Sequence, residues 1–203
     1  MDVDPMESVA RASEEDGRSS AAESARLSTW VAITVALLAT FLGVCKVKDD
    51  NIVQAMQQAQ ADKLDHWNFY QARNIREEVG RATLTQLTLA AETEPAAQIE
   101  KYRATIKTYE KLVADQSQKK EDLRKQAEDD QKTYDALNYR DDQFDLSDAL
   151  VALAITLLAL TALTHKKWLF FVALVPTAFG VLMGLSGLAG WGLHPDSLIA
   201  LLS

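Results

Sequence analysis

The sequence predicts an all-α membrane protein with three transmembrane helices and a long antiparallel coiled-coil hairpin between the first and the second. Residues 27–45 and 147–193 carry almost no charge, whereas the stretch between them is dense in Lys, Arg, Asp, Glu and Gln. A globular core is assembled from apolar residues scattered along a chain, so this segregation separates membrane spans from a water-exposed segment. A seven-residue repeat inside the charged stretch is the second observation, because such a repeat indicates paired helices.

Residues 1–26 are acidic, with Ser, Ala and Gly filling the rest, and predict a disordered tail. Residues 27–45 follow as transmembrane helix 1, since about 20 apolar residues span a bilayer core as a helix. Ser28 or Thr29 can cap its start, and Trp30 lies where an interfacial aromatic belongs. A cleaved signal peptide would begin with a short basic segment, and a lipoprotein anchor at Cys45 would follow a small residue, so neither pattern fits.

Residues 46–146 predict the extramembrane helical hairpin, with its turn near 91–95. The first helix is rich in Ala, Gln, Lys, Arg, Glu and Leu, which favour helix. It carries one stripe at Ile52, Met56, Ala59, Lys63, Trp67 and Tyr70, and a second at Ala72, Ile75, Val79 and Ala82. Thr93 is a plausible N-cap for the next helix, and Pro95 suits its first turn.

The second helix of the hairpin has the strictest pattern in the chain. Steps of three and four residues join Ile99, Tyr102, Ile106, Tyr109, Val113, Gln116, Lys120, Leu123, Ala127, Asp130, Tyr134, Leu137, Asp141 and Phe144. This repeat predicts left-handed supercoiling against the 46–92 helix. Its polar members indicate either a loosely packed, partly wet coiled coil or polar layers that fix register or face other subunits.

Residues 147–164 and 168–193 predict transmembrane helices 2 and 3, joined by a tight basic turn, and 194–203 predict a short apolar C-terminal tail. Pro176 lies inside the third span, where neighbouring helices make it tolerable. Four small residues on or near one face predict a close helix contact, within or between subunits: Gly180, Gly184, Gly187 and Gly190.

The basic turn at Lys166 and Lys167 is the only short loop, so the positive-inside rule places it in the cytoplasm. The hairpin then lies outside the cell, and the N-terminal tail lies in the cytoplasm. Lys46 and Lys48 favour the opposite orientation.

One cluster in the hairpin, Asp65-His-Trp-Asn-Phe-Tyr-Gln-Ala-Arg-Asn-Ile-Arg76, resembles the signature of an uncharacterised bacterial family, domain of unknown function 4337. The resemblance extends from about Leu27 to Gly192, and Arg73 and Arg76 stand where Lys is more usual. It implies one span, a charged helical segment and two closing spans in a bacterial membrane. It implies no catalytic mechanism.

No catalytic, cofactor-binding or metal site is predicted, and the chain is expected not to be an enzyme. It has no phosphate-binding glycine loop, no His-Glu-x-x-His motif and no cysteine pair, and its three histidines lie in separate regions. No basic patch carries interleaved aromatic residues, so no nucleic-acid partner is expected.

The preferred hypothesis is a structural or scaffolding protein that lies in the lipid bilayer and self-assembles into a homo-oligomer through its hairpin and its third span. Trp67, Tyr70, Gln71 and Arg73 form an aromatic and polar cluster, interpreted either as a recognition surface or subunit contact, or as ordinary packing with Arg73 paired to Glu77. The alternative is a channel or transport subunit in a ring around a pore, lined by Asp148, Lys166 or Lys167. If the chain is monomeric, an unidentified protein partner is expected.

Overall fold

The computed structural model describes the backbone of residues 5–93 and 95–193, which form three helices and, within those ranges, no strand. Helix α1 spans Pro5–Thr93, α2 spans Ala96–Thr164 and α3 spans Lys167–Ala189. The predicted apolar tail 194–203 lies outside the described residues. The chain divides into two compact units. We call them the membrane unit (Met1–Ile52 with Tyr139–Ser203) and the charged unit (Val53–Asn138).

The start of α1 differs from the sequence prediction, which placed a disordered tail over residues 1–26. The chain is helical from Pro5 onward. Proline is well suited to the first turn of a helix, because its fixed φ is already helical and its missing N–H would have no partner there. Ala, Glu, Met and Arg then favour helix through Arg26, and Gly17 is the least favourable position among them.

The membrane unit is built from three helices that are each long and apolar enough to cross a membrane. This confirms the three membrane-length helices that the sequence predicts. Its core contains six buried residues, Val31, Leu38, Val151, Ala154, Leu158 and Ala173. The outward faces are apolar too: Leu37, Leu163 and Phe171 are 66%, 79% and 67% exposed. A helix bundle that is apolar on both its inner and outer faces is suited to a lipid environment.

In the membrane unit, α3 has a backbone turn with a left-handed residue at each end. The turn between α2 and α3 contains only His165, in a left-handed conformation with φ of 52°, and the extended Lys166. At the other end, α3 stops at Gly190, whose φ of 70° is the left-handed value that glycine adopts at little cost. The next amide, on Trp191, donates to the Ser186 carbonyl at 2.9 Å and satisfies a free helix-end acceptor.

Within the charged unit, α1 and α2 run antiparallel, because contacts that advance along α1 move back along α2. His66 contacts Asp130, Arg73 contacts Gln116, and Gly80 faces Val113. Every predicted repeat position of α2 in this unit is buried or half-buried, from Ile99 to Leu137. The repeat therefore identifies the face of α2 that packs against α1.

The stripes predicted on α1 behave differently from each other. The first is buried or half-buried throughout, from Ile52 to Tyr70. The second is exposed, with Ile75 at 64% and Val79 at 61%. In that region α1 turns Glu77 and Gly80 toward α2 instead, so a set of apolar side chains is left on the outer surface of the charged unit.

Candidate functional site

Three of the four predicted contact glycines lie against neighbouring helices of the same chain. A Cβ on Gly180 would lie 2.7 Å from a methyl carbon of Val151, and one on Gly184 would lie 2.6 Å from the Phe41 ring. A Cβ on Gly187 would lie 2.9 Å from the Phe144 ring. Glycine is therefore required for these close approaches inside the membrane unit. Gly190 has no neighbour within 4 Å of a Cβ, and its role is to end α3.

A ladder of polar side chains on α2 binds backbone carbonyls of the glycine-rich helix α3 and of the residues just after it. Arg140 donates to the Gly187 carbonyl at 2.8 Å, and Ser147 donates to the Gly180 carbonyl at 2.8 Å. Between them, the fully buried Gln143 amide nitrogen contacts the carbonyls of Trp191 and Leu193 at 2.9 and 2.6 Å. Sequence reasoning missed this ladder, although its spacing of three and four residues was a usable signal.

An acidic cluster lies in the membrane unit, next to the apolar runs of α1 and α2. Asp49 on α1 is only 5% exposed, and its Oδ2 accepts a hydrogen bond from Lys46 at 2.7 Å. The carboxyls of Asp141 and Asp145 on α2 interact electrostatically with it. Asp148, which the sequence singled out, is exposed and lines a cavity of about 10 Å³ that Lys46 and Asp49 also line.

The two predicted pore lysines lie at the α2–α3 turn. Lys167 pairs with Glu23 at 2.6 Å, and Lys166 is exposed immediately before α3. A cleft of about 320 Å³ adjoins this pair and is lined by Glu23, Arg26, Leu27, Trp30, Lys167, Phe170 and Phe171. Its mixture of aromatic and charged side chains is typical of residues at a membrane–water interface.

The aromatic and polar cluster of the charged unit divides between the two faces of α1. Trp67 and Tyr70 are half-buried and pack edge to face, with ring centroids 5.2 Å apart. Arg73 is half-buried and donates to the Gln116 side chain at 3.0 Å, rather than pairing with Glu77. Gln71 is exposed. Three of the four residues therefore pack toward α2, and Gln71 is left on the surface.

Polar layers interrupt the packing between α1 and α2 in the charged unit. Glu77, only 2% exposed, binds Lys120 at 2.7 Å and also pairs with Arg81 at 2.6 Å. The hydrogen bond from Lys120 has the largest effect on the pKa of Glu77 and lowers it, as does the hydrogen bond from Arg81. Burial acts in the opposite direction and raises this pKa. A second layer joins His66 Nδ1 to Asp130 Oδ2 at 2.6 Å. The polar repeat positions thus have partners of matching chemistry.

Within the described residues, no group of three or more His, Cys, Asp or Glu side chains is arranged to hold a metal ion. The fold and its apolar outer faces define the class as a helical protein with three membrane-length helices. More specifically, the chain belongs to the family described as domain of unknown function 4337, which matches residues 27–190. No curated protein and no solved structure matches the chain.

Proposed function

We propose that this protein is a membrane scaffold that assembles as a homo-oligomer through its charged unit. The observation that carries the proposal is the outer stripe, which we define as Ala72, Ile75, Val79, Ala82 and Leu89. All five side chains are exposed. With Gln86 included, they follow one another in steps of three, four, three, four and three residues.

The spacing of the outer stripe favours another helix as its occupant. A seven-residue repeat keeps one side of a helix facing a partner, and α2 already covers a different side of α1 through Glu77 and Gly80. The stripe lies outside the three apolar runs, so lipid is not expected to cover it. A second copy offers an identical stripe, and a closed symmetric assembly would bury both.

We further propose that the two helices of the charged unit form an antiparallel coiled coil. The buried and half-buried repeat positions of α2 and the antiparallel contacts support this arrangement. Its polar layers favour a register-fixing role over a subunit contact, because Gln116, Lys120 and Asp130 already have partners on α1.

Self-assembly through the third span has less support than assembly through the outer stripe. Gly180, Gly184 and Gly187 are already occupied by side chains of α1 and α2 of the same chain. A neighbouring subunit would have to displace those side chains to use the same face.

We expect Val79→Lys to reduce the mass of the assembly in a mild non-ionic detergent. The substitution places a charge in the middle of the outer stripe, and burying an unpaired ammonium group between two copies is unfavourable. Native mass spectrometry of the full chain measures the copy number directly. The wild type is expected to be a defined oligomer, and the variant is expected to shift to smaller species.

Leu64→Lys is the matched control for this experiment. Leu64 is on the same helix and is 57% exposed, close to the 61% of Val79, but it lies outside the outer stripe. Its substitution is expected to leave the mass unchanged. A monomeric wild type would refute the homo-oligomer, and a variant with unchanged mass would remove the outer stripe as its interface.

A channel or transport subunit is the alternative function, and it has less support. The core of the membrane unit is apolar, and the acidic residues and lysines lie outside or at the ends of the apolar runs. Lys167 is already paired with Glu23. Ion flux through vesicles reconstituted with the pure protein, lost in Asp148→Asn or Lys166→Ala, would favour the channel.

For location, we propose the bacterial inner membrane, with the charged unit in the periplasm and the N-terminus in the cytoplasm. The motivation is the Lys166–Lys167 turn under the positive-inside rule.

Single cysteines introduced at two exposed lysines, in a Cys45→Ala background, distinguish the two orientations. Lys119 lies in the charged unit and Lys166 lies in the α2–α3 turn. We expect a membrane-impermeant thiol reagent to label Lys119→Cys in intact cells and Lys166→Cys only after lysis. The reverse pattern would invert the orientation.

A further inference from the structure

Asp49 is unusual among the charged side chains of the membrane unit because it is buried and only half satisfied. Its Oδ2 is bound by Lys46 at 2.7 Å. Its Oδ1 is also buried, and no N–H or hydroxyl group of the described residues donates a hydrogen bond to it. A buried carboxylate oxygen without a donor costs free energy, so the site is suited to a ligand that can supply one.

The carboxyl group of Asp141, on the facing helix α2, is placed to supply that donor. It is half-buried, and it lies close enough to the Asp49 carboxyl for hydrogen bonding between the two side chains to raise the pKa of Asp141. Two ionised carboxylates cannot hydrogen-bond to each other, because each is an acceptor only. The contact therefore requires a proton between the two groups.

The other charges around Asp49 and Asp141 are mostly negative, and they favour protonation of the pair. From α1, Lys46 provides the positive charge and Asp50 a second acid, with the Cys45 thiol nearby. From α2, Asp142, Asp145 and Asp148 add negative charge. The described part of α3 has a single titratable side chain, Lys167. It pairs with Glu23, about 40 Å along α1 from Asp49 at 1.5 Å per residue.

We propose that Asp49 and Asp141 form a proton-binding site at the edge of the membrane unit, where one proton shared between the two carboxyls joins α1 to α2. The ligand is the proton itself. A metal ion is disfavoured because the described residues provide no group of three suitable ligands. The inference does not depend on self-assembly, since every group in the site belongs to one chain.

The raised pKa of Asp141 agrees with a proton held at this site. Burial, the hydrogen bond with Asp49 and repulsion by neighbouring carboxylates raise the pKa of Asp141 from 3.8 to about 7. The folded state therefore binds more protons than the unfolded state between these values, and its stability falls as pH rises. The contribution is complete below about pH 4 and is lost as the pH passes through about 7. The contact between α1 and α2 should weaken over the same range.

The test is a carboxyl titration of the full chain, labelled with carbon-13 at the aspartate side-chain carboxyls and held in lipid nanodiscs. We expect one carboxyl resonance of the wild type to titrate near pH 7. Asp141→Asn should remove that transition. Asp49→Asn should move the transition to lower pH, because the asparagine amide can donate to an ionised Asp141, while burial and the neighbouring carboxylates continue to raise the Asp141 pKa.

Asp50→Asn is the matched control, because it removes the carboxylate next to Asp49 in the sequence, whose side chain is 63% exposed. In this variant the transition near pH 7 should persist. Far-ultraviolet circular dichroism checks that each variant is folded. If Asp49→Asn fails to fold, Asp141→Asn, which imitates the protonated state, still shows whether Asp141 is the group that titrates near pH 7. The proposal is overturned if no carboxyl titrates above about pH 5, if the transition survives Asp141→Asn, if a folded Asp49→Asn leaves it unmoved, or if added sodium or calcium ions displace the proton at neutral pH.

Discussion

Gly180→Ala is expected to lower the free energy of unfolding of the membrane unit by about 1–3 kcal/mol, the usual cost of overpacking a tight contact. The new methyl group would lie 2.7 Å from a Val151 methyl, 3.1 Å from Leu150 Cβ and 3.2 Å from the Val151 backbone nitrogen. Val151 cannot easily turn away because its β-branched side chain has few allowed rotamers. The backbone must therefore separate, and the hydrogen bond from Ser147 to the Gly180 carbonyl is strained with it.

The effect can be measured by titrating the protein from mild detergent into a denaturing detergent and following helicity. Gly43→Ala is the matched control, since a Cβ at that glycine of α1 would meet nothing within 4 Å. The control is expected to be neutral or slightly stabilising, because alanine favours helix over glycine. Equal behaviour of the two variants would contradict the close packing of α3 against α2.

Lys120→Met is expected to destabilise the charged unit by about 2 kcal/mol, because removing one partner of a buried ion pair leaves the other charge poorly compensated. Methionine keeps the length of the side chain and removes the ammonium group. Glu77, with its side chain 3% exposed, then retains Arg81 alone, and Asn74 loses the hydrogen bond it accepts from Lys120. Thermal unfolding followed by circular dichroism measures the change.

The neighbouring Lys119→Met provides the control, because Lys119 pairs with Asp115 on an exposed surface and its loss should have no measurable effect. Adding Glu77→Leu to Lys120→Met should recover much of the lost stability, since no buried charge is then left without its partner. A Lys120→Met protein as stable as Lys119→Met would refute the buried pair.

The stabilisation by this ion pair also depends on pH, because the pKa of Glu77 is lowered in the folded state. The stabilisation is present above pH 4.5 and is lost as the pH falls through the lowered pKa of Glu77.

The buried face of α2 could be predicted from sequence, whereas that of α1 could be predicted only in part. On α2, the repeat persists through polar positions such as Gln116 and Lys120, so spacing alone identified the face. On α1, hydrophobicity favoured Ile75 and Val79, yet the structure buries Glu77. Lys120 on the facing helix compensates the Glu77 charge, and a partner on another helix cannot be assigned from a single helical pattern.

The same limit applies to the membrane unit. The glycine spacing of α3 predicted a close helix contact, and the structure shows which side chains fill it. The partners of Gln143 and Asp49 could not be predicted, because they depend on which atoms of another segment lie opposite. The positive φ of Gly190 was also missed, since glycine at a helix end and glycine at a helix contact look alike in a sequence.

The polar layers of the charged unit constrain how the length of this segment can change among related proteins. Each layer joins unlike groups, Arg73 with Gln116 and His66 with Asp130, so the order of groups along α1 is matched in reverse on α2. An insertion in one helix alone would place every layer beyond it opposite the wrong partner. Equal insertions of about seven residues, one heptad, in both helices would preserve the pairing. Natural variation in length is therefore expected to occur in compensated pairs.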